Sequence, residues 1–204
     1  RQFDGRSAQV KFLSPTMDAQ RLSPAEYLAL CWTHFKAHWH QYCVPVVAVL
    51  LLQTVVRLDV NYTDSLPDHV FLTIKGWKAG LKHGDYVTYA FPSENPVSPF
   101  RKGDHMVKMI AGVGGDEVRM TDGGDFYIRA AGTTTLLPED LGHPVGKAKP
   151  VSRTGKPLEH GPVGVIPQDS YYVYAPHKDS LDSRYAMVGW VQDRDLIGRT
   201  FPLF

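Results

Sequence analysis

A mainly β fold behind a single N-terminal helix is predicted by three features of the chain. From residue 60 onward, short apolar segments are punctuated by Gly-Asp, Gly-Gly, Pro-Ser and Asp-Gly pairs, the marks of strands and tight turns. Before that point the apolar residues recur at helical spacing. The 204 residues, 22.8 kDa in mass, suffice for one substantial core with a smaller satellite lobe.

The helix opens at Ser23-Pro24-Ala25-Glu26. Ser23 is a capping residue, Pro24 suits the first helical position, and Glu26 completes a capping box. Leu28, Cys31, Trp32, Phe35, Trp39 and Tyr42 then follow at helical spacing, so an amphipathic helix with an aromatic face is expected. The apolar run Val44–Val56 comes next. Its 13 residues fall short of the roughly 20 that a free-standing span needs. Counting from Trp39 lengthens it, with Trp39 and Tyr42 as interface aromatics. A membrane anchor over 44–58 and a buried core helix are the two readings. The anchor is preferred because a compact β domain follows at once. Five basic residues (Arg1, Arg6, Lys11, Arg21, Lys36) precede the run against three acidic ones, which places the N-terminus in the cytoplasm. No small-x-small site follows the run, so a cleaved leader is not expected.

Strands are expected over Val70–Lys75, Tyr86–Phe91, His105–Ala111, Glu117–Met120, Phe126–Arg129, Tyr171–Ala175 and Val188–Val191. Residues 131–168, rich in Gly, Pro, Thr and Lys, read as an irregular insert, taken as about 121–168. The organisation is thus an extension with an amphipathic helix (1–43), an anchor (44–58) and a β domain (59–204).

Charge and composition exclude several functions. A net charge of +1, from 22 basic and 21 acidic residues spread along the chain, lacks the concentrated basic face of a nucleic-acid binder. Cys31 and Cys43 are the only cysteines, so neither a disulfide framework nor a Cys-based zinc site organises the β domain. His34, His38 and His40 lie on the helix without a carboxylate to complete a metal set, so no metal site is expected. Gly112-Val113-Gly114-Gly115 lacks the Lys-Ser/Thr of a phosphate loop. No cofactor is called for.

Three polar segments remain, each with an ordinary explanation when taken alone. Ser65, in Asn61-Tyr62-Thr63-Asp64-Ser65-Leu66-Pro67, suits a Pro-containing turn. Lys108 falls in His105-Met106-Val107-Lys108-Met109-Ile110-Ala111, where strand alternation puts it on one face with Met106 and Ile110. A lysine on an edge strand discourages aggregation, but one among apolar neighbours is unusual. Asp179-Ser180-Leu181-Asp182-Ser183-Arg184-Tyr185 reads as a polar loop with a local ion pair.

Together, and in this order, the segments resemble the signal peptidase I family. Ser65-Leu66-Pro67 is similar to its nucleophile motif, and Lys108 through the turn Gly112-Val113-Gly114-Gly115-Asp116 to its lysine box. Ser180-Leu181-Asp182-Ser183-Arg184-Tyr185 is similar to its Ser-x-Asp-Ser-Arg-Tyr box, and Lys82-His83-Gly84-Asp85-Tyr86-Val87 to a Gly-Asp turn entering a strand. The resemblance spans roughly residues 45–204 and implies a signal-peptidase-type β core. Asn61-x-Thr63-x-Ser65-x-Pro67, Gly155-Lys156-Pro157-Leu158 and Ile197-Gly198-Arg199-Thr200-x-Pro202-Leu203 look most like the conjugative-transfer (TraF-type) branch, whose members mature pilins of plasmid-type secretion machines.

The resemblance implies Ser65 as nucleophile, Lys108 as general base, and an oxyanion hole from the Ser65 amide and the Thr63 hydroxyl. It implies that Ser180 holds the lysine amine and that Asp182 and Arg184 form a supporting ion pair. A lysine is a base only when neutral. At a pKa of about 10.4 roughly one in 2,500 is neutral at pH 7, and burial against apolar neighbours removes much of that deficit. The implied partners are a preprotein or pilin precursor, membrane lipid and other secretion-machine components. The implied location is the bacterial inner membrane, single-pass, with the catalytic domain periplasmic.

Departures from the family pattern are also legible. Gly114 replaces a usual Pro, which is expected to loosen the lysine-box turn. Ala186-Met187-Val188 lengthens the spacing before Gly189, which is expected to displace the following strand. Asp68 brings a charge close to Ser65, and the N-terminal extension is longer than usual. Rival readings are a self-cleaving repressor-type Ser–Lys peptidase, a catalytically idle scaffold of a secretion complex, and a housekeeping signal peptidase.

Overall fold

The computed structural model describes residues 23–61, 65–94, 98, 100–133, 141–152 and 154–204. The expected oxyanion residue Thr63 lies outside the described residues. The chain divides into two compact units, residues 1–48 and 49–204.

Helix α1 (Pro24–Val55) starts where its capping box predicts. The Glu26 amide donates to Ser23 Oγ at 3.3 Å, and the Ser23 amide donates to Glu26 Oε2 at 2.9 Å. The helical geometry breaks at His38 (φ −124°, ψ 18°), and Pro45 lies within the element. Trp32, Phe35 and Tyr42 of the expected aromatic face stack, with ring centroids 5.9 Å apart in each successive pair, but no residue of α1 is buried. Nor does the expected anchor over 44–58 form one apolar helix. Val56 already begins a strand, and among the described residues no helix is long and apolar enough to cross a membrane. A 13-residue run is too short for the hydrocarbon core by itself.

The β domain contains β1 (Val56–Val60), β2 (Val70–Lys75), β3 (Tyr86–Ala90), β4 (His105–Gly112), β5 (Glu117–Met120), β6 (Asp125–Arg129), β7 (His143–Lys147), β8 (Gly164–Val165), β9 (Ser170–Tyr174), β10 (Val191–Gln192) and β11 (Leu196–Pro202). Seven strands form one sheet in the order β1-β2-β11-β3-β4-β9-β10, and four form a second in the order β7-β6-β5-β8. All pairings are antiparallel. Strands β2 and β5 have the expected bounds. Strands β3, β4, β6 and β9 differ by no more than one residue at either end.

Three expectations are corrected. The segment taken as an irregular insert holds most of the second sheet, whose β6 pairs with both β5 and β7. The strand expected over Val188–Val191 begins only at Val191, because the Val188 and Gly189 amides both turn back to the Tyr185 carbonyl. Strand β11 was not expected at all, since Gly198 and Pro202 break its pattern. Gly198 is needed there because a Cβ would collide with the Ile74 carbonyl carbon at 2.8 Å.

The main core lies between the sheets. Val87, Tyr89, Met106, Ile110 and Val173 of the first pack with Val118, Phe126, Ile128 and Val145 of the second. A smaller cluster of Leu66, Phe71 and Ala175 secures the chain next to Ser65.

Candidate active site

Strand register decides the environment of Lys108. Val87 lies opposite Lys108 and Tyr89 opposite Met106 across β3 and β4. Alternation then places the lysine on the buried face with Met106 and Ile110, as expected. Its side chain is 3% exposed, and Nζ donates to Ser180 Oγ at 2.9 Å. Burial is the main cause that lowers its pKa, to about 8. Asp182 acts in the opposite direction, and Arg184 adds to the lowering.

The loop that supplies Ser180 is held from within. Arg184 Nε and Nη2 donate to the two Asp182 carboxylate oxygens at 2.8 and 2.7 Å, and both residues are buried. Arg184 Nη2 also reaches the Ala175, His177 and Ser180 carbonyls, and Nη1 reaches that of Lys147 on the second sheet. The Ser180 amide donates to the His177 carbonyl. Ser183 Oγ accepts from the Val173 amide, and Tyr185 Oη from the Lys149 amide. One guanidinium thus ties the loop to Ala175, directly after β9, and to Lys147 of β7, which suits the rigid fork of arginine.

Ser65 follows β1 and is 7% exposed. The Asn61 side-chain amide makes a long 3.5 Å contact with its Oγ. Ser65 and Lys108 line one cleft of about 520 Å³, together with Arg57, Asp59, Asn61 and His105.

Gly114 of the lysine-box turn lies close against Gln168. A Cβ there would meet the Gln168 backbone, with its Cα only 2.6 Å away, so the glycine permits close packing. Asp116 Oδ2 accepts from the Val113 amide at 2.8 Å, Oδ1 accepts from the Ala131 amide at 2.9 Å, and His83 Nε2 lies 2.6 Å from Oδ2.

Sequence reasoning missed one polar constellation entirely. Thr73 Oγ1 donates to Asp59 Oδ2 at 2.7 Å and lies 2.7 Å from Thr88 Oγ1, and Thr88 and Thr200 hydroxyls are 2.8 Å apart. The four residues are buried and tie β1 to β2, β3 and β11. The available signal was an acidic residue inside the apolar-looking segment Val56–Val60.

The sequence profile of the family described as signal peptidase, peptidase S26, matches residues 36–204. The chain belongs to this signal peptidase family. It is therefore a serine peptidase of the signal-peptide-cleaving kind, with a preprotein as substrate. Members of this peptidase family are usually membrane-associated. A solved signal peptidase I from Enterococcus faecalis shares 16% identity over 58% of this chain and 94% of that one, with a TM-score of 0.32. No curated protein sequence matches the chain.

Proposed function

We propose that Ser65 is the nucleophile of this signal peptidase and Lys108 its general base, with Ser180 holding the amine. The observation that carries this reading is the buried Lys108 amine, whose hydrogen bond is to a neutral hydroxyl and whose apolar neighbours disfavour its charge. With a pKa near 8, about one lysine in ten is neutral at pH 7. That is a workable fraction of base for activating a serine.

In the proposed sequence, Ser65 Oγ attacks the scissile carbonyl carbon as Lys108 Nζ takes its proton. The resulting oxyanion is held by the Ser65 amide and, by the family resemblance, by Thr63. Collapse breaks the C–N bond, and Lys108 returns the proton to the leaving amine. Water then attacks the acyl-enzyme in the same manner and frees Ser65. A substrate amine arriving before water would instead close a ring. Strands β1 and β4 both contribute to the cleft, which suits an extended segment docked by main-chain hydrogen bonds. Asp182 and Arg184 support the site by fixing the Ser180 loop.

We assign the substrate to the conjugative pilin precursors. This rests on the TraF-like residues Asn61, Thr63, Ser65, Pro67, Gly155, Lys156, Pro157 and Leu158 and on the run from Ile197 to Leu203. We further place the protein at the bacterial inner membrane, catalytic domain periplasmic, on the exposed apolar side chains of Val44–Val55. Mass spectrometry of a co-expressed pilin precursor tests the assignment. Wild type yields the shortened pilin, or a form lighter by one water if the ends are joined. Ser65→Ala and Lys108→Met leave the precursor intact, with rates lowered at least about a thousandfold. Equal processing by all three proteins sinks the dyad.

A further inference from the structure

Beyond the reacting groups, the cleft carries one cation whose hydrogen-bonding capacity is only partly used. Arg57 Nε is fixed on Asp59 Oδ1 at 2.6 Å, while among the described residues no hydrogen bond reaches either Nη. The side chain is 40% exposed, so the outer edge of the guanidinium is open to the cleft. Its anchor is itself held: the other oxygen of Asp59 receives Thr73 Oγ1, with Thr88 Oγ1 more distant at 3.5 Å. Asp59 thus has both oxygens engaged and serves as the base on which Arg57 is mounted. Asp104, the other acid lining the cleft, has one oxygen bound to the Arg101 amide.

We propose that Arg57 is a specificity-determining residue, binding an acidic side chain of the substrate segment that lies along the Ser65–Lys108 cleft. An arginine pinned through Nε offers its paired Nη groups to a carboxylate with little orientational entropy left to lose. The neighbouring His105 imidazole is held below its ordinary pKa by burial and then by the Arg57 charge. Lys75 acts in the same direction, and Asp59 and Asp104 against it. At neutral pH the histidine therefore adds little positive charge, and the fixed cation on this wall is Arg57. The cleft contains Ser65 and Lys108, so the carboxylate belongs to the segment being cut. The inference rests on the proposed dyad only in taking that cleft as the substrate path.

Binding separates the two claims. Fluorescent leader peptides carrying Glu, Gln or Lys in turn at each position near the cut are titrated against the Ser65→Ala protein, and each peptide is afterwards weighed for cleavage. At one position Glu is bound about tenfold more tightly than Lys, a charge-assisted preference. Arg57→Gln brings the Glu-to-Lys ratio close to one, and Arg57→Lys restores part of it. Raised salt reduces it. Equal binding of Glu and Lys peptides, no binding of either, a preference for Lys, or a Glu preference that survives Arg57→Gln overturns the proposal. Cleavage of the peptides by the Ser65→Ala protein instead counts against the dyad alone.

Discussion

Lys108 and Arg184 are both almost wholly buried, at 3% and 2% exposure, yet they are held in opposite electrostatic states. Arg184 faces the Asp182 carboxylate through two short hydrogen bonds and reaches four backbone carbonyls besides. Burial disfavours its charge, but the Asp182 hydrogen bonds and charge reverse this, and its pKa is raised. Lys108 is offered one neutral hydroxyl, so burial prevails and its pKa falls to about 8. A buried cation with a carboxylate partner is a fixed structural charge. One given only a hydroxyl becomes a base near neutral pH.

The largest effect is expected from breaking the paired cation. Arg184→Met leaves Asp182 buried and uncompensated, which costs about 3–5 kcal/mol. Thermal melting should fall by about 10 °C for a chain of this size. The double variant Asp182→Leu, Arg184→Met should recover much of that loss, since it removes both charges. If the single variant melts like wild type, the contrast between the two cations is lost.

A smaller effect of opposite sign is expected from the unpaired one. Unfolded Lys108 keeps its proton up to its ordinary pKa, whereas the folded one releases it near 8. Between these values the unfolded chain holds more protons, so stability rises with pH; below about 8 the penalty is fully present. The shift corresponds to about 3 kcal/mol at pH 7. Lys108→Met removes that penalty but orphans the Ser180 hydroxyl, at a cost of about 1 kcal/mol. Urea melts should therefore find the variant about 2 kcal/mol more stable at pH 7, with the gain gone by about pH 10. A variant less stable than wild type at pH 7 contradicts this account.

The smallest effect is on the wild-type rate. Cleavage limited by neutral Lys108 should rise about tenfold per pH unit below a midpoint near 8, then level off. The gain from pH 7 to the plateau is roughly tenfold. A profile flat from pH 6 to 9 would remove Lys108 as the base.

Much of the candidate site was legible because its signals are local. Alternation along one strand was enough to place Lys108 with Met106 and Ile110, and the Ser180–Tyr185 segment carries its own ion pair two residues apart. The Ser23–Glu26 capping box lies within one turn, and its reciprocal hydrogen bonds form as the local sequence dictates. The membrane anchor was read less well, because apolar composition over 44–56 does not report where a helix stops and a strand begins.

By itself, the sequence determined the strand phases, the order of the polar segments and the family to which they point. Each depends on residues close together in the chain or on their spacing along it. Only the tertiary structure decided that β11 lies between β2 and β3, that β5 to β8 form a second sheet, and that Asp59 meets threonines of β2 and β3, which in turn meet Thr200 of β11. Thr73 and Thr200 are 127 positions apart, and no local preference of either residue specifies that contact. The exposure of the Arg57 guanidinium in the Ser65–Lys108 cleft has the same origin. It depends on how β1 is fastened by strands that arrive much later in the chain.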